Sequence, residues 1–124
     1  MENFDWVTAR AKCSLVEVFE KLRLQVGVDV QTRNKLLSDP RDAFSVIESE
    51  AKPSFSVIVP SNPLPSITFS LSDERIGVSH KGRLIFEATL TLGDDGECRL
   101  KINGKERELW QMRRMALEEL FFGT

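Results

Sequence analysis

"SFSVIVPSNPLPSITFSL" runs from Ser54 to Leu71. In it Phe55, Val57 and Val59 alternate with Ser54, Ser56 and Ile58. Beyond "PSNPLP", read as a loop, Ile67, Phe69 and Leu71 alternate with Ser66, Thr68 and Ser70. A period of two sends successive side chains to opposite faces of a strand. Apolar residues on one face and hydroxyls on the other predict an antiparallel sheet, packed on a core on one side and wet on the other.

The same period continues through Ile76 and Val78, then Leu84, Phe86, Ala88, Leu90 and Leu92, then Cys98, Leu100 and Ile102. The gaps are hairpin-length, so a meander is the simplest topology. "NG" at Asn103 and Gly104 is the clearest turn, because a type I′ hairpin needs positive φ at both central positions. It sets Lys101 opposite Glu106 and Arg99 opposite Glu108, and turns Lys105 and Arg107 toward the apolar side. "HKG" reads as a three-residue loop with Val78 opposite Leu84 and Ile76 opposite Phe86, which leaves His80 exposed. "GDDGE" at Gly93 to Glu97 lacks the length and spacing of a calcium loop and reads as a turn.

Helical periodicity flanks the sheet on both sides. "SLVE" at Ser14 to Glu17 has the form of a capping box, and Leu15, Val18, Phe19, Leu22 and Val26 then share one face to about Leu37. A second helical pattern spans Leu109 to Phe122. Before Ser14, Val7, Ala9, Ala11 and Cys13 alternate with polar residues, which suggests a strand over residues 5–13. A longer helix through Phe4, Val7, Ala11 and Leu15 is the competing reading. The expected architecture is α+β, one domain over residues 1–124, with an antiparallel meander of about five to seven strands. The N-terminal-half helix and the C-terminal helix pack on one face of it.

Composition narrows the function classes. The chain has 124 residues, 41% hydrophobic and 29% charged, with a net charge of -2. That is the profile of a soluble globular protein, and the charge argues against nucleic-acid binding. The basic run "CRLKINGKERELWQMRR" reads as scaffold for the same reason, its cations having acidic partners nearby. One histidine and two cysteines far apart offer no metal centre. Cys13 and Cys98 read as buried, inert thiols. With no apolar leader and no membrane span, the expectation is a cytoplasmic protein. No catalytic motif or cofactor signature is present, so an enzyme is the less expected outcome.

A few residues break the pattern. Arg113 falls near the middle of the apolar face of the C-terminal helix, either snorkelling or pairing with an acid, or holding an anionic group. Asp29 and Arg33 interrupt the first helix in the same way, one turn apart, as an i, i+4 ion pair or as two walls of a pocket. Met115 and Phe122 lie away from the main stripe and, with Phe121, form a smaller apolar patch suited to an interface. Two functions follow as expectations. One is a non-enzymatic, self-associating interaction module, at simplest a homodimer, using Met115, Phe121 and Phe122. The other is a binder of small anionic or amphipathic ligands, in a crevice between helices and sheet lined by Arg113, Asp29 and Arg33.

Overall fold

The computed structural model describes residues 3–49 and 52–123. Helices α1 (Trp6–Lys12) and α2 (Leu15–Lys35) come first. Strands β1 (Ser45–Ser49), β2 (Ser54–Val59), β3 (Asn62–Leu71), β4 (Ile76–His80), β5 (Arg83–Leu92), β6 (Cys98–Ile102) and β7 (Lys105–Arg107) follow, and α3 (Leu109–Phe122) comes last. The seven strands form one sheet in chain order, antiparallel throughout. The class and the meander are those expected from the alternation.

One face of the sheet carries the core. Phe55 stacks on Phe69 across β2 and β3 with ring centroids 4.7 Å apart, and Phe19 of α2 meets Phe55 at 5.3 Å. Such pairs add about 0.5–1.5 kcal/mol beyond the burial of their area. From α2 come Phe19, Leu22, Val26 and Val30; from α3 come Met112, Ala116, Leu117 and Phe121. All join the same buried cluster as Val57, Ile76, Val78 and Ile102. Both helices therefore cover one face of the sheet. The other face carries hydroxyls, with Ser56 and Thr68 hydrogen-bonded across the strands at 2.8 Å.

Several local expectations are corrected. Residues 6–12 form a helix, not a strand. The Asp5 side chain accepts from the Thr8 backbone N–H at 3.0 Å and the Thr8 hydroxyl at 2.6 Å, which caps a helix start. No residue of α1 is buried, so the alternating pattern has no core to face. Ser14 does stand at the N-cap of α2, but its side chain makes no capping bond; its carbonyl accepts from the Val18 N–H at 3.0 Å.

The hairpin before β5 closes through two residues, Lys81 and Gly82, both at positive φ. Ile85 is then an extra residue in the ladder, so Val78 faces Phe86 and Ile76 faces Ala88. A bulge, not a longer loop, keeps Phe86 inside, and it leaves Leu84 and Ile85 exposed. β3 begins at Asn62, inside the expected loop. The register also shifts between Val57 and Val59, and Ile58, expected on the wet face, is buried. The Asn103–Gly104 turn is as expected, with Lys101 opposite Glu106. β7, however, ends at Arg107, and Arg99 pairs with Asp95 instead of Glu108.

The cysteines are bonded to each other. Cys13 and Cys98 form a disulfide with their Cα atoms 5.4 Å apart. The expectation of two free, inert thiols is overturned, and the free-thiol argument for a reduced compartment goes with it. Sequence separation concealed the pair, because the meander brings β6 back beside the α1–α2 junction.

Candidate functional site

α2 and α3 pack side by side, and a cleft of about 310 Å³ lies between the C-terminal half of α2 and the length of α3. Asp29, Thr32 and Arg33 line it from α2, with Leu36 at the helix's C-cap. Trp110, Arg113, Arg114, Leu117, Glu118, Phe121 and Phe122 line it from α3. Asp29 and Arg33 of α2 thus line the same cleft as Arg113 of α3, which is distant in sequence. The lining is mainly apolar at the rim: Leu36 is 67% exposed, Trp110 50% and Phe122 67%.

The charged groups are largely occupied with one another. The Arg113 Nε donates to Asp29 Oδ2 at 2.7 Å, and its Nη1 donates to Gln25 Oε1. Asp29 and Arg33 do not pair along the helix. Each reaches α3 instead, and the Arg33 Nε donates to the Phe121 carbonyl at 2.8 Å. That carbonyl sits in the last turn of α3, where the helix dipole favours a cation. The Arg33 guanidinium also lies over the Phe122 ring, 4.6 Å from its centroid, a cation–π geometry. Among the described residues no carboxylate bridges to Arg33, whereas Arg114 pairs with Glu118 at 2.9 Å. Among the described residues Arg33 is therefore the cation of this cleft that no carboxylate neutralises.

The remaining expected interface residues separate. Phe121 is buried, 4.9 Å from the Phe44 ring. Phe122 forms the rim of the cleft. Met115 is exposed on the far side of the Trp110–Arg114–Glu118 ridge, in a second groove with Arg107 and Glu119. Sequence reading missed Gln25, Leu36 and Trp110. The signal for all three was helical spacing: Gln25 is one turn before Asp29, Leu36 three residues after Arg33, and Trp110 three before Arg113.

Among the described residues no group of three or more His, Cys, Asp or Glu side chains could hold a metal ion. His80 sits exposed beside the Lys81–Gly82 turn. The arrangement can bind through apolar contact and through the Arg33 guanidinium. Comparison with known proteins finds no matching family model, no matching curated protein and no matching solved structure.

Proposed function

We propose that this chain is a non-enzymatic protein-interaction module that self-associates, with the α2–α3 cleft as a docking surface. What carries the reading is the exposure of Leu36, Trp110 and Phe122 around one cleft whose ion pairs are already closed. Large apolar side chains clustered at a surface groove lose water when a partner covers them. Among the described residues no helix is long and apolar enough to cross a membrane.

Sedimentation velocity over a wide concentration range tests self-association. A mass-action shift toward twice the 14.1 kDa chain mass is expected. A single 14.1 kDa species throughout overturns it.

A second reading, a binder of small anionic or amphipathic ligands, is favoured by Arg33 alone. Its anchor would be the Arg33 guanidinium, with Asp29 and Arg113 as the braced wall beside it. Native mass spectrometry should then show an added small mass on the purified chain, lost in Arg33→Ala. A bare chain that also fails to take up a medium-chain fatty acid sinks this reading. Whether the chain works in the cytoplasm is read from protein alkylated as cells are opened. Free Cys13 and Cys98 support that location, and an intact disulfide opposes it.

A further inference from the structure

The two edges of the sheet are guarded differently. β7 is three residues long and every one is charged: Lys105, Glu106 and Arg107. Short, charged edges resist pairing with other strands. β1 has five residues, Ser45 to Ser49, and among the described residues no strand lies on its outer side. Its one charge, Glu48, is held by Arg23 of α2 at 2.7 Å. Ile47 is 52% exposed. An open row of backbone donors and acceptors is matched best by another strand.

We propose that β1 pairs antiparallel with β1 of a second copy of this chain, about a two-fold axis through Ile47, so that the sheet runs on from one protomer to the next. This rests on the self-association reading and places the contact between copies at the β1 edge instead of the α2–α3 cleft. The register follows from parity. Along an edge strand the backbone groups point alternately inward and outward, so outward residues must meet outward residues. A two-fold axis then passes through a residue, not between two.

Through Glu48 it would set two carboxylates directly opposite, which is destabilising. Through Val46 it would pair Glu48 and Ser49 with residues before the strand. Through Ile47 all five residues of the strand pair. Ser45 then faces Ser49 of the second copy, Val46 faces its Glu48, and Ile47 meets its own copy in an apolar cross-strand pair.

Gly27 is an independent observation on the same side. α2 runs along β1: Arg23 reaches Glu48, and the Asn34 amide bonds both the Phe44 carbonyl and the Phe44 N–H, at 3.0 and 2.8 Å. Gly27 lies four residues after Arg23 and seven before Asn34, on that line. Glycine is unfavourable inside a helix, and a Cβ there would meet no atom within 4 Å. Among the described residues no close contact calls for a glycine at this position. Pairing at β1 puts both copies of α2 on the same face of the continuous sheet, with their Gly27 sides toward one another. Absence of a side chain there permits close approach, with exposed Leu24 one turn away.

The test uses Ile47→Lys and Ile47→Glu in the full chain, since Ile47 is exposed and its replacement leaves the core intact. Each variant alone should weaken dimerisation by about tenfold or more, from like charges on the axis. Mixed one to one, they should recover a heterodimer by native mass spectrometry. That recovery depends on residue 47 facing its own copy. Variants that dimerise as wild type does, while Phe122→Asp yields monomers, overturn the β1 pairing and leave self-association standing. A monomeric wild type overturns both and leaves the β1 edge to a strand of another protein.

Discussion

α1 and α3 stand near opposite ends of the described chain and are held in opposite ways. α3 buries Met112, Ala116, Leu117 and Phe121, and its first turn is closed by the Glu108 N–H donating to Gln111 Oε1 at 2.8 Å. α1 buries nothing. It has the Asp5 cap, the Phe4 ring lying against Gly96, and the disulfide at its C-terminal end. Gly96 has positive φ, and a Cβ on it would collide with Phe4. A helix of seven residues is too short to persist on backbone bonds alone. α3 is thus held by packing and α1 by tethers.

Cutting the tether is the largest way to break that comparison. Cys13→Ser with Cys98→Ser opens a link between residues 85 apart and should lower stability by about 4 kcal/mol. Hydrogen exchange should show residues 6–12 unprotected while α3 keeps its protection. Protection of α1 in the double variant would mean that packing, not the disulfide, holds it. Next comes the packed helix itself: Met112 is fully buried, and Met112→Ala should cost about 3 kcal/mol, read from denaturant midpoints.

Arg113→Ala sharpens the contrast at the cleft. Removing one partner of a buried pair costs about 3–5 kcal/mol, but these side chains are 18% and 31% exposed. An expected loss of about 1–2 kcal/mol follows. Asp29→Ala should cost as much, and the double variant should cost less than the sum. Additive losses would show that the two side chains do not interact.

The smallest effects are electrostatic. Hydrogen bonds from the Thr8 hydroxyl and N–H hold the Asp5 carboxyl below its ordinary value. The Glu97 N–H and Arg99 do the same for Asp95, and Arg23 does so for Glu20. Groups whose folded pKa lies below the unfolded value stabilise the fold above the unfolded pKa and lose that contribution as pH falls through the folded one. The thermal midpoint should therefore stay level from pH 7 to about 5 and decline below about 4. Asp5→Asn should flatten that decline slightly, with any change in exchange confined to α1.

Legibility in the sequence followed burial. Phe55, Val57, Ile67 and Phe69 alternate because each strand has a dry face and a wet one, so the sheet could be read directly. Leu15 to Val30 and Leu109 to Phe121 likewise carry a helical stripe because they press on that sheet. α1 presses on nothing, so its apolar spacing held no reliable period, and Val7 and Ala11 fitted a strand as well as a helix. The bulge at Ile85 was hidden because inserting one residue mimics a longer loop in the spacing of Val78 and Phe86.

At the cleft, the anomaly of Arg113 was visible in the helical wheel, but its partner was not. Local spacing offered Asp29 to Arg33; the fold gives Asp29 to Arg113 and Arg33 to the Phe121 carbonyl. Strand alternation, helix faces and the Asn103–Gly104 turn are short-range consequences of side-chain period and backbone sterics, so the order of residues determined them. The disulfide, the bracing of Arg113 and the cleft join residues far apart in the chain. Only the course of the meander and the packing of two helices on one face of it decided those, because distance in space, not in sequence, sets which groups can pair.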